Sequence, residues 1–260
     1  ASYDMSHEGD KLKDISGKGN DATLYGAEDS DFAFYGLNVW QMDGDSYATL
    51  PASIMDDLGD SEDFTVQATL TTQTAAAHWL FAIGEGFGTW NAKSVGDYIF
   101  VNPSASEKSG NFLAAIKTGT GSDWKETRFS NASTGMRNVK GYGTVTLVGE
   151  GGDMSLYLNG ELVSSVSQDK TIQDVLPDGD IMGYIGQSLY EEDPLLKANL
   201  AEFKIWSYAL SRSEIQAAAP DSDALKQMVL ADLLKTVMGE NESLDAVTED
   251  LNLPSSIDNV

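Results

Sequence analysis

The chain has 260 residues, with 16 Lys and Arg against 41 Asp and Glu, for a formal net charge of −25. That charge argues against nucleic acid and anionic membrane surfaces, since both would repel it; the length suits one large sandwich, or a domain with an appendage, that needs no staples. There is no cysteine and only two histidines, His7 and His78, which excludes thiol catalysis, disulfides and iron–sulfur clusters and leaves no multi-histidine metal centre to expect.

From residue 1 to about 215 the chain reads as short alternating runs broken by Gly, Asn, Asp and Ser, the texture of an all-β sandwich. It opens inside apparent structure, at Ala1-Ser2-Tyr3-Asp4 with no visible signal peptide, and is read as a cut-out of something longer. Asp14, Asn20 and Asp21 then crowd a glycine-rich turn. Two readings stand for it. Oxygen-rich loops suit Ca²⁺, with Asp14 and Asn20 as candidate ligands, or the same side chains make turn hydrogen bonds.

Strands are expected at 46–50, 64–70, 98–101, 112–116 and 144–148. The last continues through a turn at 149–153 into Met154–Leu158, and Asn159-Gly160 turns again into Glu161–Val163. Asn-Gly favours a type I′ turn because both central residues must reach positive φ. Met154, Leu156 and Leu158 alternate with Ser155 and Tyr157, so one face is core and the other reads as wet or ligand-bearing. In the run 200–206, strict alternation sets Leu200, Glu202, Lys204 and Trp206 on one side and Ala201, Phe203 and Ile205 on the other.

Ser211 and Glu214 have capping-box spacing for a short helix. Beyond Pro220, Leu230, Leu233, Leu234 and Val237 share one helical face, Asp221 or Ser222 can cap its start and Gly239 can end it. Ser243–Thr248 reads as a further strand. A lone amphipathic helix must bury its stripe on the sandwich, on another copy or on another domain. No apolar run approaches the roughly 20 residues of a membrane-spanning helix.

Glycoside hydrolysis needs two carboxylates across a cleft. No Glu-x-Asp-x-Glu run aims three carboxylates at one sheet face, Glu191-Glu192-Asp193 is contiguous beside Pro194, and no Gly-x-Ser-x-Gly elbow occurs. The chain is therefore expected not to be an enzyme. Sugar recognition needs an aromatic surface with a few polar groups beside it. Of the five tryptophans, Trp79 and Trp206 lie in strand-like runs and read as core, and Trp40 is ambiguous. Trp90 and Trp124 sit in polar, glycine-rich stretches where a large ring has no obvious core to join. They are the leading ligand-binding candidates, with Tyr190 as a third ring and Asp123, Arg128 and Asn102 as hydrogen-bonding groups. The alternative is that these rings cap the sandwich ends or pack on neighbouring modules.

A family pattern adds to this reading. It is carried by Tyr3-Asp4, by 13–24 (Lys-Asp-Ile-Ser-Gly-Lys-Gly-Asn-Asp-Ala-Thr-Leu), by 43–51, by Phe64-Thr65-Val66, by Tyr157-Leu158-Asn159-Gly160, by Tyr184-Ile185-Gly186 and by 202–211 with Glu214-Ile215. Over these segments residues 3–216 resemble the laminin-G-like, concanavalin A-like lectin/glucanase modules of secreted bacterial polysaccharide-degrading enzymes. The resemblance implies an all-β jelly-roll sandwich of two antiparallel sheets over 1–216, with a short helical segment and linker over 217–260. Leu244–Pro254 resembles the start of a degenerate bacterial immunoglobulin-like module. The implied protein is a multi-module glycoside hydrolase of the family 43 type, extracellular, secreted or attached to the cell wall. The expected role is a non-catalytic carbohydrate-binding accessory module for a polysaccharide such as arabinan or xylan, beside other modules of its parent enzyme. The alternative role is a ligand-free spacer or interdomain brace. Related modules hold a structural Ca²⁺ near the first turn, helped by an aspartate before the Glu of the last strand, where this chain has Ala201.

Overall fold

Alternation along the strands sorts the chain into two stacked antiparallel sheets. The computed structural model describes all residues except 33–37, 73–78, 90–94, 105–111, 120–124, 132–135, 137–138, 140, 177–180, 240, 242–244 and 254–260, and the side chains of Thr72, Lys125, Ser130, Asn131 and Ser222. In chain order the strands are β1 (Ser2–Tyr3), β2 (His7–Glu8), β3 (Lys11–Leu12), β4 (Ala22–Tyr25), β5 (Trp40–Asp43), β6 (Tyr47–Thr49), β7 (Phe64–Thr72) and β8 (Phe81–Glu85). They continue as β9 (Tyr98–Asn102), β10 (Phe112–Thr118), β11 (Lys125–Asn131), β12 (Gly143–Glu150), β13 (Asp153–Leu158), β14 (Glu161–Ser167), β15 (Ile181–Ile185) and β16 (Lys197–Trp206). The helices are α1 (Ala52–Gly59), α2 (Ile172–Val175), α3 (Arg212–Ala218) and α4 (Ser222–Met238).

Among the described residues one sheet has seven strands in the order β1-β16-β7-β12-β13-β14, with β5 also on β16, and the other has nine in the order β11-β10-β9-β8-β15-β6-β4-β3-β2. The inner faces meet in one core that includes Tyr3, Leu70, Phe81, Phe112, Leu147, Leu156 and Phe203. Ile54, Met55 and Leu58 of α1 and Ile172 and Val175 of α2 join that core. This is the jelly-roll sandwich that the sequence implies, with a helical C-terminal segment. The Asn159-Gly160 turn has φ of 52° and 76°, the positive values its sequence calls for.

The outer face of the seven-stranded sheet is roofed. Thr65, Gln67, Thr69, Thr144 and Thr146 point outward yet are buried, because α3 and the chain around it lie over them. Gln67 Nε2 donates to Thr146 Oγ1 at 3.1 Å and to the Ile215 carbonyl at 3.0 Å, and Thr65 Oγ1 donates to the Tyr208 carbonyl at 2.9 Å. The capping box at Ser211 and Glu214 is present and starts α3 as its spacing requires. Val148, Leu210 and Ile215 close a small apolar cluster here with Tyr157 and Trp206 against it. The Ser155–Tyr157 face of the hairpin is therefore helix-covered, not wet or ligand-bearing as its alternation suggests.

Two further expectations are corrected along this roof. A β-bulge between Leu200 and Glu202 breaks the strict alternation in β16. Leu200 consequently joins Phe203 and Ile205 in the core, while Ala201 turns outward to Val39, Tyr142 and Met228. That apolar pocket receives α4, which is capped by Asp221 at its start and ends at Gly239. The helix lies with Met228 and Ala231 buried, so Leu230 of the expected stripe is exposed and Leu233, Leu234 and Val237 are half-buried. No strand forms over Asp245–Thr248. The Asn241 side chain instead accepts the Thr248 and Glu249 amides at 2.7 and 2.8 Å and holds a loop, while Ser243 and Leu244 lie outside the described residues.

One half-buried carboxylate fastens α4 to the sheet. Asp232 Oδ2 accepts from Tyr142 Oη at 2.5 Å and from Asn199 Nδ2 at 2.9 Å. Burial raises the Asp232 pKa above its ordinary 3.8, against the opposing effect of these two hydrogen bonds. A raised folded pKa contributes stability below 3.8 that is lost as pH rises through the folded value. Urea unfolding across pH is thus expected to show the native chain losing ground to Asp232→Asn from about pH 4 upward; parallel curves for the two proteins would contradict this.

Candidate functional site

The outer face of the nine-stranded sheet carries no helix among the described residues, and it is aromatic. In β4, Ala22 and Leu24 point into the core, so Thr23 and Tyr25 point out. In β6, Ala48 points in and Tyr47 points out, directly opposite Tyr25. Tyr184 on β15 pairs across from Ala82 on β8, and Ala82 from Phe100 on β9, which carries the row to the next group of rings.

The rings form two contiguous groups. Tyr25 stacks on Tyr47 at 5.0 Å between centroids and 11° between planes, and Tyr47 meets Tyr184 edge-on at 6.0 Å. Phe87, from the loop after β8, lies 5.9 Å from Tyr184. In the second group Trp79 stacks on Phe100 at 3.8 Å, and Tyr190 stands edge-on to both Trp79 and Tyr98 at 6.2 and 6.0 Å. Trp79 and Tyr184 are buried, whereas Tyr25 is 45% exposed and Phe87 39% exposed. Buried rings thus form a fixed base and exposed rings a contact surface on it, the arrangement suited to the apolar face of a sugar. Burial pushes the Tyr184 phenol up to about 12, so this hydroxyl stays a neutral donor and acceptor at physiological pH.

A polar strip runs beside the rings on β9 to β11. Lys117 pairs with Tyr98 on one side and Glu126 on the other. Its Nζ donates to the Val95 and Gly96 carbonyls at 3.2 and 2.5 Å and sits 5.2 Å from the Tyr98 ring centre. Burial lowers its pKa, against the field of Asp97, Glu126 and Glu85. Glu126 accepts from Tyr98 Oη at 3.3 Å through one oxygen and from Arg128 at 2.6 and 2.8 Å through the other. Both oxygens of this carboxylate are engaged by donors of the protein itself.

The sequence candidates divide against this geometry. Tyr190 and Arg128 stand on the aromatic face. Asn102 follows Tyr98 and Phe100 on the same side of β9, but it is 2% exposed, with its side-chain oxygen accepting the Ser104 amide at 3.1 Å. This is a turn hydrogen bond, and it occupies the side-chain oxygen. Trp90, Asp123 and Trp124 lie outside the described residues. Trp79 is buried as expected, but on the outer face and not between the sheets. Trp40, by contrast, is in the inter-sheet core. Tyr25, Tyr47, Tyr184 and Phe87 were not among the candidates. The signal for two of them was present: Tyr47 and Tyr25 stand in strands whose inward positions are small or aliphatic, which forces the rings outward.

The residues expected to hold Ca²⁺ already accept donors of the protein itself. Asp14 Oδ1 accepts the Ser2 and Ser16 amides at 2.9 and 3.0 Å, and Oδ2 accepts the Ser16 hydroxyl and the Asn20 amide at 2.9 and 3.0 Å. Asn20 Oδ1 accepts from Ser53 Oγ at 2.6 Å, and Asp21 takes the Asp14 amide and Lys13. Both Asp14 oxygens already accept two donors each, so a cation there would have to displace them, which favours the turn hydrogen bonds over Ca²⁺ at this residue. Among the described residues no group of three or more His, Asp or Glu stands ready for a metal. Burial opposes ionisation of Asp14, but the hydrogen bonds from Ser16, Ser2 and Asn20 outweigh it and hold its pKa at about 2.

A family model described as "Concanavalin A-like lectin/glucanases superfamily" matches residues 42–216. No curated protein sequence matches the chain. Among solved structures, domain 4 of AbnA, a GH43 extracellular arabinanase from Geobacillus stearothermophilus in complex with arabinotriose, is 18% identical with a TM-score of 0.50, over 79% of this chain and 84% of that one. The CBM40 of the Ruminococcus gnavus IT-sialidase bound to α2,3-sialyllactose is 17% identical with a TM-score of 0.50, over 64% of this chain and 86% of that one. The binding domain of botulinum neurotoxin serotype D/C is 13% identical with a TM-score of 0.54, over 84% of this chain and 50% of that one. At these identities the likeness establishes the fold.

Asp14→Ala should cost about 2–3 kcal/mol at neutral pH, the scale of hydrogen bonds to a charged group. Because the folded pKa is depressed, this contribution is present above 3.8 and fades as pH falls through about 2. Chelator should leave the melting temperature unchanged. A melting point that falls in chelator and recovers with added Ca²⁺ would overturn the hydrogen-bonding account of this turn.

Proposed function

The chain belongs to the concanavalin A-like lectin/glucanase superfamily, and on that premise we propose that it is a non-catalytic carbohydrate-binding module. The observation that carries this is the contrast between the two outer faces: one sheet is roofed by α3 and α4, the other presents Tyr25 and Phe87 on a base of buried rings. Two structural neighbours are in complex with a glycan, arabinotriose in one and sialyllactose in the other, which supports the same role. Sugar rings would stack on the exposed aromatics, with Tyr190 and Arg128 beside them. Trp90 stands in sequence between β8 and β9, and Asp123 and Trp124 between β10 and β11; all three are proposed as further contacts.

Glu126 speaks against catalysis on this face. Its oxygens are held by Tyr98 and Arg128, and a glycosidase needs a second carboxylate across a cleft from the first. The wider setting we propose is an accessory module of a secreted bacterial glycoside hydrolase acting on plant or host polysaccharide, such as arabinan or xylan, followed by an immunoglobulin-like module. Its benefit there is avidity, since a tethered weak binder raises the effective concentration of the catalytic domain at the polymer. The spacer reading would bury the rings against α4 or against another module. That helix instead lies over the opposite sheet, with Met228 against Ala201 of β16.

Affinity electrophoresis in polysaccharide gels tests the proposal. One polymer should retard the native chain, and Tyr25→Ala with Phe87→Ala should weaken that retardation about tenfold, the equivalent of about 1.4 kcal/mol. Trp90→Ala with Trp124→Ala should weaken it too. Retardation that survives both double variants, with folding intact by circular dichroism, would move the site off this face.

A further inference from the structure

We propose that Lys117 is a positioning residue of the aromatic face, its amine tying the closing end of the β8–β9 connection to the base of buried rings; this rests on the carbohydrate-binding reading above. Lysine is rarely buried, yet Lys117 is 8% exposed on the open sheet. Phe112, Ala114 and Ile116 of β10 point into the inter-sheet core, so alternation turns Lys117 to the outer face, between Tyr98 on β9 and Glu126 on β11. An ammonium has three protons to give. Two go to main-chain carbonyls, those of Val95 at 3.2 Å and Gly96 at 2.5 Å, and the centre of the Tyr98 ring lies 5.2 Å from the nitrogen.

Those carbonyls belong to the connection that carries Phe87. Its opening end is pinned by a parallel bridge: the Gly88 amide donates to the Leu189 carbonyl and the Glu191 amide to the Gly88 carbonyl, each at 3.1 Å. This links the segment of Phe87 to the segment of Tyr190. Its closing end runs close along β8, with the Gly96 amide on the Glu85 carbonyl and the Glu85 amide on the Asp97 carbonyl, both at 2.8 Å. A Cβ at Gly96 would collide with the Glu85 carboxylate. Val95 belongs to the same buried cluster as Trp79, Tyr98 and Phe100, and Tyr190 stands edge-on to Tyr98. Lys117 therefore joins the backbone of the connection to the rings that support the contact surface. Burying an amine here is costly, since its charged form loses hydration. An aliphatic chain of the same length would fill the space but could not hold two carbonyls in place. The gain is a surface whose geometry is set before the ligand arrives.

The chain has no cysteine, so Lys117→Cys supplies a single thiol for the test. Alkylation in urea followed by refolding gives two side chains of equal length. With bromoethylamine the thiolate displaces bromide and the S-aminoethyl product restores the amine; with bromopropane the S-propyl product lacks it. Binding is measured by affinity electrophoresis in whichever polymer retards the native chain, with folding checked by circular dichroism. The S-aminoethyl chain should bind within about twofold of the native chain, and the S-propyl chain about tenfold more weakly. Lys117→Met, expressed directly and never unfolded, should bind as weakly as the S-propyl chain. Equal binding by the two alkylated chains, or native-like binding by Lys117→Met, would overturn the positioning role and leave the carbohydrate-binding reading standing. Retardation of the native chain by no polymer would overturn that reading and this inference with it.

Discussion

Two stacked sheets can bury only one face each against the other, so every sandwich leaves two outer faces that must be satisfied separately. Here they are satisfied in opposite ways. The seven-stranded sheet turns out a row of threonines and Gln67, and hydrogen bonds to Tyr208, Ile215 and neighbouring hydroxyls let the C-terminal segment lie down on them. The nine-stranded sheet turns out aromatic rings that pack on one another. Once one face has taken the helices, the other is the broad surface left for a partner.

The order within the ring row decides what that surface can do. Rings that were all exposed would be a mobile apolar patch and an aggregation liability. Burying Trp79, Tyr98, Phe100 and Tyr184 fixes the positions of Tyr25, Phe87 and Tyr190 above them. A contact surface fixed in advance loses little conformational entropy on binding, which matters for ligands as small as a few sugar units. Beside it, Lys117 donates to the Val95 and Gly96 carbonyls and Arg128 pairs with Glu126.

Much of the architecture was legible in the sequence because strands announce themselves locally. The Asn159-Gly160 turn, the capping box at Ser211 and Glu214, and the Asp221 and Gly239 ends of α4 each rest on one or two residues with a specific backbone requirement. What failed was whatever depended on a partner distant in sequence. The bulge at Ala201 answers to the pairing of β16 with β7 and gives α4 its apolar seat, so the period-two rule misassigned Leu200. The face of α4 that is buried follows from that seat and from Tyr142 and Asn199 holding Asp232, not from its leucine stripe. The site was read from tryptophans in polar loops, whereas the described ring row is built from tyrosines on strands β4, β6 and β15, which neighbour one another only after β6 has inserted between the other two. Asn102 looked like a free polar group because nothing in its local sequence shows that it closes its own turn.

The central claim is that glycan binds on the open face of the nine-stranded sheet. Its most direct test is a residue-resolved NMR titration with an oligosaccharide from whichever polymer retards the chain. Signals of Tyr25, Tyr47, Phe87 and Tyr190 should shift together and saturate with one affinity, while Tyr142, Tyr157 and the residues of α3 and α4 stay still. Shifts confined to the roofed side, with the ring row unmoved, would contradict the account.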